Sequence, residues 1–195
     1  MQSRLHMINF VIDLLKDNLP VCYYYHNHEH TLYVQEKAVD IGRHEHCSTK
    51  EIELLSAAGL WHDTGYIRTY ANHEEESCEL AKKYLPEYGF SDNDISIICG
   101  MIMATKIPQT PKNKLEAIVA DADLEYLGTI VAAQKADLLF KELQSLTPSL
   151  TKTLWDKMQI KFLQTHHYFT PYCKEKKEPL KQAYLKELIE SEGTF

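Results

Sequence analysis

The sequence predicts an all-α fold. Apolar residues recur at three-to-four spacing along most of the 195 residues, no Asn-Gly or Asp-Gly turn joins alternating runs, and Gly and Pro number only seven each. A chain of this length buries about 70% of its unfolded surface. One domain over residues 1–195 is therefore expected to fold without disulfides or a structural metal, and a bound metal would serve chemistry.

Leu5, Ile8, Val11, Ile12 and Leu15 give a first amphipathic helix that ends before Pro20. A second helix is expected to open within Tyr23-Tyr24-Tyr25-His26-Asn27-His28-Glu29-His30-Thr31 and to continue through Val34, Ala38 and Ile41. Read as helix, His26 and His30 share one face, with about 5–6 Å between Cβ atoms, while His28 points elsewhere. His6, His44 and His46 are expected at the surface. Ser48-Thr49-Lys50-Glu51 is a capping box, and the helix it starts runs through Ile52, Leu54, Leu55, Ala58 and Leu60 into His62-Asp63. Two polar residues delivered at the end of a strongly apolar helix stand at the edge of a core, with rigid support behind them.

Asn72 is expected to cap the next helix, with His73 and three glutamates in its first turn. Pro86 to Phe90 interrupt the pattern, Ser91 with Asp94 restarts it, and Ile95, Ile98, Met101 and Ile102 form the buried face. Lys106 leaves that apolar run at a place from which it could reach a phosphate. Beyond the Pro108–Lys114 connection, a helix carries Asp121 and Asp123, whose spacing sends at most one of them toward an inward site. Helices over Thr129–Leu146, Leu150–His167 and Pro179–Ile189 follow, with Cys173–Glu178 as a charged connection and His166 and His167 as structural residues.

The balance of 21 Lys+Arg against 28 Asp+Glu gives a net charge of −7, which excludes a surface built to coat nucleic acid. Five scattered cysteines without a Cys-x-x-Cys indicate neither a disulfide framework nor a zinc knuckle, and they read as small core residues in a reducing cytoplasm. Arg4, Asp13, Lys16 and Asp17 interrupt the first apolar stretch, which suits neither a signal peptide nor a membrane span. A soluble cytoplasmic protein without a membrane partner is expected.

His30, then His62-Asp63, then an aspartate near position 121 form the ordered pattern H…HD…D. That pattern resembles the HD superfamily of metal-dependent phosphohydrolases. The likeness extends over a motif core of about residues 24–128, ahead of C-terminal helices over 129–195. Supporting stretches are His62-Asp63-Thr64-Gly65-Tyr66, His73-Glu74-Glu75-Glu76-Ser77, Ala104-Thr105-Lys106 and Asp121-Ala122-Asp123-Leu124 with Leu127-Gly128. The tail Phe162–Thr170 is similar to that of small bacterial HD proteins.

The resemblance implies a helical bundle with a metal site in a central cleft. It makes His30, His62, Asp63 and Asp121 the metal ligands, with Asp123 behind them and His73 near substrate or a weak second ion. A looser likeness to cyclic-nucleotide phosphodiesterases marks His26 as a candidate general acid. Two imidazoles and two carboxylates suit a divalent ion, whether Mn, Fe, Co, Ni, Mg or Zn, and leave positions open for water and a phosphoryl oxygen. Asp63 and His26, with Lys106 as a cation for the developing charge, are the expected catalytic residues. His73 is the only histidine between Asp63 and Asp121, so one tightly bound metal is expected. The implied activity is hydrolysis of a small phosphorylated molecule, a nucleotide or cyclic nucleotide among them. The alternatives are an iron oxygenase on the same fold and a non-catalytic module that senses a ligand.

Overall fold

The computed structural model describes residues 2–192, and among them the chain forms ten α-helices and three short 3-10 turns with no strand. It separates into two compact units. The first takes the chain up to Pro20 and from His26 to Asp123, and the second takes Val21–Tyr25 and the chain from Leu124 onward.

The first unit holds α1 (Gln2–Asn18), α2 (His28–His44), α3 (Thr49–Trp61), α4 (His73–Tyr84), α5 (Asp92–Met103) and α6 (Lys114–Asp123). Its centre is α3, which is buried without interruption from Leu54 to Trp61. The capping box that opens α3 is present, with Ser48 N donating to Glu51 Oε2 at 2.7 Å and Glu51 N donating to Ser48 Oγ at 3.3 Å. Helix α2 lies close along α3 because position 59 is glycine: a Cβ there would come 2.8 Å from Gln35 Cα. Helices α5 and α6 cover other sides of α3, and α4 packs on α5. Phe10 of α1 closes the cluster, its ring centroid 4.9 Å from that of Tyr84 and 6.2 Å from that of Trp61.

Two helix starts differ from expectation. Helix α2 begins at His28, not among the tyrosines, because Asn27 Oδ1 accepts from Glu29 N at 2.8 Å and His30 N at 3.2 Å and so fixes the helix entrance behind it. His26 therefore stands on the preceding loop and does not share a helical face with His30. Asn72 does precede α4, but in a left-handed conformation (φ 57°) and without a side-chain cap; its Oδ1 accepts from Lys106 Nζ at 3.0 Å. Ser91 and Asp94 form the second capping box as expected.

The second unit contains α7 (Ala132–Leu146), α8 (Lys152–Thr165), α9 (Pro171–Lys176) and α10 (Glu178–Glu192). Ala136, Leu150 and Trp155 form its apolar cluster together with Leu139, Phe140 and Leu143. The charged connection expected over Cys173–Glu178 is mostly helix, because Thr170 Oγ1 accepts from Cys173 N at 3.2 Å and Pro171 suits the first helical position. Lys181 is fully buried, reaching Glu178 Oε1 at 2.9 Å and donating to the His166 carbonyl at 2.5 Å. Glu125, also buried, pairs with Lys177. Among the described residues no helix is long and apolar enough to cross a membrane.

Candidate metal centre

Three elements of the first unit deliver the site. His30 projects from the first turn of α2, His62 and Asp63 follow the last residue of α3, and Asp123 is the last residue of α6. Gly65 lets the chain turn tightly after the His-Asp pair, with its N–H donating to the buried Ser77 Oγ of α4 at 2.8 Å. That turn sets the start of α4, and with it His73, against the same group.

One ligand atom each from His30, His62 and Asp123 lies within 4.8 Å of the others, an arrangement able to hold a metal ion. His30 Nε2 is 3.1 Å from Asp123 Oδ1 and 3.5 Å from Asp63 Oδ2, and His62 Nε2 is 3.2 Å from Asp63 Oδ1 and 3.6 Å from Asp123 Oδ1. His62 Nδ1 faces the Gly59 carbonyl at 2.8 Å, which places the ring proton on Nδ1 and turns the lone pair of Nε2 into the site. That Nε2 and Asp63 Oδ2 are both buried with no hydrogen-bond partner in good geometry. An unsatisfied buried polar atom costs about 1–3 kcal/mol, and a cation between these atoms removes the cost for both. The residues thus fit a divalent metal.

The distal aspartate lies on α6. Asp123 joins the two histidines within that spacing, and Asp121, the residue expected as distal ligand, is fully buried two residues earlier on the same helix. Two residues of helix turn the side chains nearly opposite ways, and α6 packs against both α2 and α3. Together with Asp63, whose oxygens lie 3.2 Å from His62 Nε2 and 3.5 Å from His30 Nε2, the group offers two imidazoles and two carboxylates.

Electrostatics bind the group together. Burial pushes the Asp63 and Asp123 carboxyls up, but the adjoining imidazoles outweigh it, holding Asp63 well below the carboxylate range and Asp123 at about 2. Burial pulls His62 down, yet Asp63 and Asp123 lift it well above an ordinary histidine. For His30 burial dominates and its pKa is lowered. Both carboxylates are therefore ionised at neutral pH, and a metal at this site would compete with the proton that they favour on His62.

His73 Nε2 approaches Asp63 Oδ1 at 3.4 Å and the buried Glu74 Oε1 at 3.6 Å. Its ring stacks on Tyr66 with centroids 3.8 Å apart, and His26 lies near the same tyrosine at 4.3 Å. His26 is 6.0 Å from His30 between ring centroids, so the loop brings the two histidines near each other even though no shared helix does. Tyr66 and Glu74 enter the sequence reading only within motif stretches, and Tyr70, whose carbonyl faces His73 Nδ1 at 3.3 Å, has no local signal. Lys106 is engaged by Glu75 Oε1 at 2.5 Å as well as by Asn72, so a phosphate would have to displace Glu75 to reach it.

A family model described as the HD domain matches residues 27–125. A crystal structure of a predicted HD superfamily hydrolase from an uncultured Thermotogales bacterium aligns with a TM-score of 0.63 at 20% identity, over 95% of this chain and 88% of that one, and so shares the fold. No curated protein matches the chain.

Proposed function

The chain belongs to the HD-domain family, whose model matches half its length, and from that premise we propose that it is a metal-dependent phosphohydrolase acting on a small phosphorylated molecule. His30, His62, Asp63 and Asp123 would hold one divalent ion. The observation that carries the reading is the pair of buried atoms with no hydrogen-bond partner in good geometry, His62 Nε2 and Asp63 Oδ2, beside His30 and Asp123.

The bound ion supplies Lewis acidity toward a phosphoryl oxygen and toward an attacking water. The protein does the rest. Gly59 fixes the His62 tautomer, and the two carboxylates stay ionised to neutralise the cation. His26, half-buried beside Tyr66, is the proton donor proposed for the leaving oxygen. His73, held by its contact with Asp63, orients that carboxylate and lies where substrate enters. Lys106 contributes its charge once a phosphate displaces Glu75.

Elemental analysis of the purified protein beside Asp63→Ala, followed by a phosphate-release screen with the same metal restored, tests the reading. About one equivalent of metal lost in the variant, with metal-dependent release by the wild type, is expected. Two full equivalents in the wild type would overturn the one-ion assignment. Oxygen uptake by iron-loaded protein in place of phosphate release would favour the oxygenase chemistry. Inertness toward every phosphoester, with metal bound, would favour a sensing module.

A further inference from the structure

Apart from the metal centre, the first unit contains a cleft of about 610 Å³ between α4 and α5, whose lining includes Cys78, Cys99, Lys82 and Glu79. Cys78 lies on α4 and Cys99 on α5, 21 residues apart in sequence, yet their backbones run side by side. Cys78 Sγ donates to the carbonyl oxygen of Cys99 at 3.5 Å, and Cys99 Sγ donates to that of Cys78 at 3.8 Å. Each sulfur thus reaches the other residue's own backbone, which sets the two side chains beside one another.

From this reciprocal geometry in an open cleft, we propose that Cys78 and Cys99 are a site of reversible oxidation, closing to a disulfide that ties α4 to α5 when the protein meets hydrogen peroxide. Cys99 is the attacking thiol: it is half-buried with Lys82 nearby, and the adjoining Cys78 side chain draws its pKa down. Cys78 is buried and its thiol is pushed up by the same bond and by burial, so it keeps its proton until the second step.

The Cys99 thiolate displaces hydroxide from the peroxide, giving a sulfenic acid, and the hydroxide takes up the proton that Cys99 lost. Cys78 sulfur then attacks the sulfenic sulfur; the S–O bond breaks and the departing hydroxide takes the Cys78 proton. Two thiols and one peroxide become one disulfide and two waters. A small thiol restores the pair by exchange through a mixed disulfide, itself ending as its own disulfide.

The full-length protein, freed of reductant, is treated with hydrogen peroxide, titrated for thiols under denaturing conditions and mapped by non-reducing digestion. The thiol titre should fall by two from five, with one linked peptide pair containing Cys78 and Cys99, and a dithiol should restore it. In Cys78→Ser the reaction should stop at a Cys99 sulfenic acid that dimedone traps. An unchanged titre overturns the proposal, as does a linkage through Cys22, Cys47 or Cys173, or oxidation of Cys99 to sulfinic acid while Cys78 stays a free thiol. The wild-type map decides the matter even if the serine variant does not fold.

Discussion

Gly65 sits directly against His73: a Cβ at position 65 would lie 1.9 Å from the His73 carbonyl oxygen and 2.7 Å from Ser77 N. The turn after the His-Asp pair and the first turn of α4 are thereby packed backbone to backbone, with no space for a methyl group. Gly65→Ala must drive the two apart, and a loss of more than about 3 kcal/mol is expected, as for other forced clashes in a core. Thermal and urea melts measure it, and a variant within about 1 kcal/mol of wild type would refute the close-approach argument.

Metal retention separates the two aspartates of α6. Asp123→Ala should weaken binding at least about 100-fold, because it removes a direct ligand where even supporting residues are worth 10–100-fold. Among variants that fold, as judged by circular dichroism, Asp121→Asn should retain the ion. Calorimetric titration with Mn or Zn reads the difference, and the opposite order would return the distal position to Asp121.

Lys106 and Glu75 should act against one another. Freeing the lysine with Glu75→Gln is expected to lower KM for a phosphorylated substrate by roughly threefold, the scale an exposed charge pair supports, and Lys106→Ala should raise it by a similar factor. Equal KM in both variants would mean that the lysine only braces Asn72 and the start of α4.

The capping box at Ser91 gives a pH signature away from the metal. Asp94 is held below the ordinary carboxylate range first by the hydrogen bond from Lys50 and then by Ser91 N–H. A depressed folded-state value means that its contribution is complete above the unfolded value of 3.8 and is lost as pH falls through the folded one. Asp94→Ala should therefore cost about 1 kcal/mol at neutral pH, and that gap should close below pH 3.8. A gap that stays constant into acid would rule out the ionised carboxylate as its source.

Much of this was legible in the chain. Both capping boxes, the breaks at prolines and the burial of α3 follow from local rules, which is why α1, α3 and α5 fall where expected. His62-Asp63 was legible because an apolar helix delivers two polar groups together. The side of α6 that faces α2 and α3 was not, since Asp121 and Asp123 differ by two residues on one helix and only tertiary packing ranks them. The entrance to α2 was misread because three tyrosines extend the apolar pattern, whereas the decisive signal was Asn27 as a cap. The nearness of Cys78 and Cys99 has no local signature, because it arises from two helices lying side by side.

Helices α3 and α6 both terminate at the metal centre, handing over to His62-Asp63 at one and ending on Asp123 at the other. A helix C-terminus carries about half a negative charge, so the backbone adds to two ionised carboxylates at this spot. Under the proposed function, a phosphorylated molecule arriving first meets these negative groups, whereas a cation is drawn to them and offsets their charge. On that reading an ion would bind before the anion, and the free metal concentration would set the apparent affinity for substrate.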